Sequence, residues 1–275
     1  MSIMNVSTPI GSPTRFGQYA VGVRVMGTPR SGTNLAKHLI ARYLEVPVVF
    51  DRGFWKHGIF PALMDGRDMR YGELPIVVVS KDPVTQLLSW YRQARNDTLF
   101  KPSGNLAAFL SKPFELRQDF TEPRKMEYRF RTPADYWNQF YFAMDALRRT
   151  DIPVHFLRYE QLVSEPAACL NSISRFLDPS RAFDASTVVA MPEHKLGASN
   201  DIERGESPTI DQSRFDPARA ELASALARIG WRNASVILRG IDDDVLEATG
   251  RAGFRKTCLE AIGVRAMLRS LVGFW

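Results

Sequence analysis

The sequence predicts an α/β fold in which helices flank a central parallel sheet. Three observations predict it. Short apolar runs rich in β-branched residues, at 21–26 (VGVRVM), 76–80 (IVVVS) and 154–158 (VHFLR), read as buried parallel strands. Long segments, several with helical periodicity, separate them, and strands alternating with helices give a parallel sheet. The first run leads straight into a loop, Gly27 to Gly32, of the kind that joins a strand to a helix.

Taken in order, the first strand is followed by a helical pattern at 32–44 and by a short apolar run at 46–50 that reads as a further strand. The strand at 76–80 is followed by a helix at 83–95, with Asp82 as N-cap and Pro83 at the first helical position. Residues 96–130 mix charge, proline and aromatics, and are expected to hold a helix inside a lid-like insertion. Helices are expected at 133–149, 166–177 and 218–229. Residues 192–215 read as one long loop. The expected organisation is a single domain over 1–275, with 1–19 a flexible N-terminus and 241–275 a C-terminal helical extension.

Composition narrows the function classes. The 275 residues carry a formal charge of +6. This suits an anionic ligand, but the charge is spread along the chain with no Lys/Arg-rich arm, so no nucleic-acid partner is expected. Cys169 and Cys258 are the only cysteines and form no CxxC pair, which argues against a disulfide framework and a zinc site. The N-terminal stretch lacks the basic start and apolar run of a signal peptide, and no apolar run approaches bilayer-spanning length. A cytoplasmic protein without metal is expected.

The loop VMGTPRSGTNL, residues 25–35, has the glycine spacing of a phosphate-binding loop, but Thr33-Asn34 stand where Lys and Ser or Thr would follow. A cation lies inside the loop instead, at Arg30, whose forked donors suit phosphate or sulfate oxygens. Gly32 lets the backbone approach an anion, and Ser31 and Thr33 add hydroxyls. The missing Lys-Ser/Thr pair removes a β/γ-phosphate contact and a magnesium ligand. In the second motif, Lys81 ends a strand and Ser89 lies two helical turns on, a pair able to clamp another phosphate. In the third, Tyr159 follows the last strand, where open α/β sheets bind ligands.

Together the three motifs resemble the sulfotransferases that use 3′-phosphoadenosine 5′-phosphosulfate (PAPS). Pro29-Arg30-Ser31-Gly32-Thr33 matches the family's first motif; Lys81 and Ser89 hold the spacing of its Arg and Ser; Tyr159-Glu160-Gln161-Leu162 with Pro166 is similar to its third. The resemblance covers about residues 20–180. It implies a three-layer P-loop-type fold, metal-free catalysis, and transfer of a sulfuryl group to a hydroxyl or amine. It implies that Arg30, Ser31, Gly32, Thr33, Asn34 and Leu35 hold the 5′-phosphosulfate, Lys81 and Ser89 the 3′-phosphate, and Tyr159 the adenine. The family's later basic-glycine loop corresponds to Arg204-Gly205, with Lys195 as rival.

Members of this family place a base after the second strand with a lysine nearby, and Lys56-His57 stand there. His57 would take the acceptor's proton and Lys56 would stabilise the leaving oxygen; Glu73 and Asp51 are reserve bases. The acceptor is a small molecule, lipid or carbohydrate, with Phe54-Trp55, residues 112–130 and Tyr136-Trp137 as candidate pocket walls. The tail ending in Phe274-Trp275 suits weak contact with a membrane surface, and the oligomeric state is left open. Two other readings stand beside this one: a P-loop kinase, which needs a lysine that the loop lacks, Lys37 lying a turn too far along; and a non-catalytic binding protein on the same fold.

Overall fold

The computed structural model describes residues 22–49, 56–59, 74–94, 104–118, 126–150, 152–196, 210–214 and 221–263. The described elements run β1 (Val23–Met26), α1 (Thr33–Leu39) continuing into a π-helical turn (Ile40–Leu44), β2 (Val48–Val49), β3 (Ile76–Ser80), α2 (Pro83–Ala94), α3 (Leu106–Ser111), β4 (Phe114–Gln118), β5 (Met126–Phe130), α4 (Pro133–Leu147), β6 (Val154–Arg158), α5 (Tyr159–Ser164), α6 (Pro166–Leu177), β7 (His194–Leu196), β8 (Ile210–Arg214), α7 (Leu222–Gly240), α8 (Asp243–Ala248) and α9 (Phe254–Ile262).

Four strands form a parallel sheet in the order β2-β1-β3-β6. Side chains alternate between the faces of a strand, so each face of β3 is covered by its own layer. Val77 and Val79 pack with Leu35, Leu39, Leu162 and Leu170, from α1, α5 and α6. Ile76 and Val78 pack with Leu87, Phe140, Leu238 and Phe254, from α2, α4, α7 and α9. Both faces of β3 are therefore apolar, and the strand is buried along its whole length. Burial of a Val or Leu side chain contributes about 1.5–3 kcal/mol, which makes this sheet the rigid floor on which the loops at its ends are built.

Local signals set the helix starts. The Asp82 carboxylate accepts from Thr85 N at 2.9 Å, capping α2. Thr132 caps α4 through a 3.1 Å bond from Asp135 N, with Pro133 in the first turn. The expected helix at 218–229 ends where Gly230 leaves helical geometry (φ 71°, ψ 161°), but the chain then resumes as helix to Gly240. Two expectations are corrected. The lid-like insertion is not only helical, since α3 is followed by the antiparallel pair β4–β5. Residues 192–215 are not one loop, because β7 and β8 pair antiparallel across them. Among the described residues no helix is long and apolar enough to cross a membrane.

Candidate active site

Because β1, β3 and β6 are parallel neighbours, the segments leaving their C-terminal ends emerge on one edge of the sheet. That edge brings together the three motifs. Arg30 Nε bonds Ser89 Oγ at 3.5 Å, joining the first to the second. The Lys81 ammonium lies 4.6 Å from the centroid of the Tyr159 ring, joining the second to the third. Gly32 abuts the same ring: a β-carbon built at position 32 would lie 2.2 Å from Tyr159 Cδ2. Gly32 has φ 102°, a left-handed value that favours glycine, so both the backbone and the neighbour require it.

The loop itself is held from several sides. Ser31 N donates to Thr28 O at 3.1 Å and closes the turn. Arg30 stands at φ 69°, which is uncommon for a residue with a side chain and costs about 1–2 kcal/mol. The Gln86 amide, from α2, donates to Pro29 O and braces that turn. Tyr141 OH donates to Val79 O at 3.0 Å, so the Thr28 hydroxyl at 3.0 Å donates to the phenol oxygen. Burial pushes the Tyr141 phenol up to about 12, which keeps it a donor. Ser31 and Thr33 are buried, and Ser31 Oγ lies inside the loop against Gly27. Gln86 Oε1 is buried without a hydrogen-bond partner among the described residues, and the buried Ser31 hydroxyl interacts with the Tyr141 phenol. A buried amide oxygen left unpaired beside a loop of this shape fits a polar ligand.

Lys56 and His57 stand against the same loop. Gly27 N donates to Lys56 O at 3.1 Å, and the buried Lys56 ammonium donates to Asn34 Oδ1 at 3.2 Å. His57 Nδ1 pairs with the Gly27 carbonyl. A carbonyl only accepts, so Nδ1 carries the proton and the neutral ring's lone pair is on Nε2. Tyr136 OH donates to His57 O at 2.6 Å and fixes the segment to α4. Burial, then the Lys56 charge, pull the imidazole down to about 3; the Gly27 bond raises it, and the Arg30 charge lowers it further.

Behind Lys81 lies a charged network. Burial first, and the neighbouring Glu160 second, push the Asp82 carboxyl up to about 6, against the Thr85 bonds and the Lys81 charge, which lower it. Glu160 Oε1 accepts from Asp82 N at 2.8 Å, while Glu160 Oε2 takes an ion pair from Arg251 at 2.6 Å.

Of the residues expected to act, Arg30, Ser31, Gly32, Thr33, Asn34, Lys56, His57, Lys81, Ser89 and Tyr159 gather at this edge, while Leu35 points into the core beside α1. Arg204, Gly205, Glu73, Asp51 and Phe54-Trp55 lie outside the described residues, as does the Lys195 side chain. Tyr136 and Trp137, taken as pocket walls, are fully buried core residues. Tyr141, Gln86 and Arg251 were not expected: each contacts the site from 57 to 171 residues away, and no local pattern marks such a pairing.

Residues 69–193, just under half of the chain, match the family described as the sulfotransferase domain. Over this segment the chain is similar to sulfotransferase domains. The match supports sulfotransfer as the activity and includes Lys81, Ser89 and Tyr159; the Arg30 loop and the Lys56-His57 pair lie before it. The chain is also similar, at 15% identity and a TM-score of 0.37, to a crystal structure of a mouse sulfotransferase complexed with PAP. That similarity covers 100% of this chain and 96% of the mouse one. A likeness of that size bears on neither the fold nor the site. No curated protein matches the chain.

Proposed function

We propose that this sulfotransferase-domain protein moves a sulfuryl group from PAPS to a hydroxyl or amine of a small-molecule, lipid or carbohydrate acceptor, with His57 as base. The observation that carries the reading is the meeting of three motifs on one sheet edge through Arg30–Ser89, Gly32–Tyr159 and Lys81–Tyr159. Two cationic positions, Arg30 with Lys56 and then Lys81, suit a ligand with anionic groups at two ends. The loop has Thr33 where an ATP loop has its lysine, and this favours a phosphosulfate over a nucleoside triphosphate.

In this reading the acceptor oxygen attacks sulfur as the sulfur–oxygen bond to the phosphate breaks. The acceptor's proton passes to His57 Nε2. Lys56 and Arg30 stabilise the negative charge that develops on the departing phosphate. A ring held near pH 3 is neutral, hence able to accept, at any working pH. The donor's own negative charge offsets Lys56 and Arg30, so its arrival raises the basicity of His57. The test is sulfur-labelled PAPS incubated with an extract of the source cells. Wild type labels a product that His57→Ala labels at least about a hundredfold more slowly. Equal labelling by the two proteins would remove His57 from the mechanism.

A further inference from the structure

Arg251 belongs to none of the three motifs, yet it makes four hydrogen bonds beside the site. It lies in the turn between α8 and α9 and is 6% exposed. One guanidinium nitrogen donates to Ser80 Oγ at 2.8 Å and to Thr249 O at 3.0 Å; the other donates to Ser80 O at 3.1 Å and to Glu160 Oε2 at 2.6 Å. Ser80 and Arg158 are the last paired residues of β3 and β6. Lys81 and Tyr159 are the first residues beyond each strand. Arg251 therefore bridges the segments that leave β3 and β6, through Ser80 next to Lys81 on one side and Glu160 next to Tyr159 on the other. A second arginine fastens the same turn, since Arg158 donates to Gly250 O at 3.2 Å.

We infer that Arg251 is a positioning residue for the 3′-phosphate end of the donor site. Acting through Ser80 and Glu160, it sets the separation of Lys81 and Tyr159. The chemistry requires arginine: only a planar fork reaches a backbone carbonyl, a hydroxyl and a carboxylate at once, and lysine offers a single point charge. Glu160 is used twice, by Arg251 and by the Asp82 amide, so a shift of Arg251 is transmitted to the residue beside Lys81. The C-terminal turn thereby becomes part of the donor site through Ser80 and Glu160.

The inference rests on the PAPS reading, and the experiment separates the two. Calorimetry on the full chain measures binding of adenosine 3′,5′-bisphosphate and of adenosine 5′-phosphate, which lacks only the 3′-phosphate. Wild type should prefer the bisphosphate by about 10–100-fold, the size of one charge-assisted contact. In Arg251→Met that preference should fall about tenfold while affinity for the monophosphate holds. A purely structural role would lower the melting temperature and leave the preference unchanged, and that result overturns the inference. Should Arg251→Met fail to fold, Ser80→Ala removes one partner only. It should lower the preference about threefold, and an unchanged preference there is equally fatal. A wild type that binds neither nucleotide overturns the donor reading itself.

Discussion

Gly32 and Tyr159 are in such close contact that the loop and the start of α5 leave no room for one more carbon between them: a β-carbon on Gly32 would lie 2.2 Å from Cδ2 and 2.7 Å from Cε2 of the ring. The contact joins the first motif directly to the third and makes them one structure. Gly32→Ala is expected to destabilise the protein by about 1–2 kcal/mol from the left-handed backbone alone, and to abolish bisphosphate binding by displacing Tyr159. Urea unfolding and calorimetry check the two effects. Unchanged binding in the alanine variant would show that Tyr159 does not need its present place.

Lys81 lies over the face of the same ring. Lys81→Met removes the charge but keeps most of the apolar stem. It should cost the bisphosphate about 10–100-fold in affinity and leave the monophosphate unaffected. A loss shared equally by both nucleotides would place Lys81 at the 5′ end instead.

His57 and Asp82 give opposite pH dependences of stability. His57 is held at about 3, below its ordinary 6.5. Its contribution is complete above pH 6.5 and is lost as pH falls from there toward 3, because the unfolded chain takes up the proton first. Asp82 is raised from 3.8 to about 6, so its contribution is complete below 3.8 and is lost as pH rises through 6. Between pH 7 and 4.5 the two oppose each other. Relative to wild type, His57→Gln should gain on the order of 2 kcal/mol on acidification across that interval, and Asp82→Asn should lose stability. Urea unfolding at the two pH values reads both; the same sign for both variants would contradict this assignment.

Tyr141 braces the loop through Thr28 and the end of β3 through Val79 O. Tyr141→Phe strands a buried hydroxyl and a buried carbonyl. It is expected to cost about 1–3 kcal/mol, readable as a lower urea midpoint. No change in midpoint would mean that other partners satisfy both groups.

The parts legible in the sequence are those written in adjacent residues. Ile76–Ser80 and Val154–Arg158 declare themselves by β-branched runs, and α2 by Asp82-Pro83. The loop's glycines and Arg30 lie within six residues of one another, so their meeting with Lys81 and Tyr159 follows once β1, β3 and β6 are parallel neighbours. The pair β4–β5 was missed although FELRQ and MEYRF each alternate apolar and charged residues, because the charge, proline and aromatics around them read as an insertion; β7–β8 was not legible, because its strands are short and polar. Tyr136 and Trp137 offer aromatic faces that suit a pocket, although core is the commoner fate of such residues, and packing assigns them to the core. Arg251 finds Ser80 across 171 residues, a relation that no window of sequence contains.

The central claim is that the Arg30 loop, with Lys81 and Tyr159, binds a 3′-phosphorylated adenosine anion without magnesium. Calorimetric titration of the full chain with adenosine 3′,5′-bisphosphate, in parallel with ATP and magnesium, tests it most directly. Saturable binding of the bisphosphate, at least about tenfold tighter than ATP with magnesium, is the result this account requires. Binding of ATP with magnesium and none of the bisphosphate would contradict it.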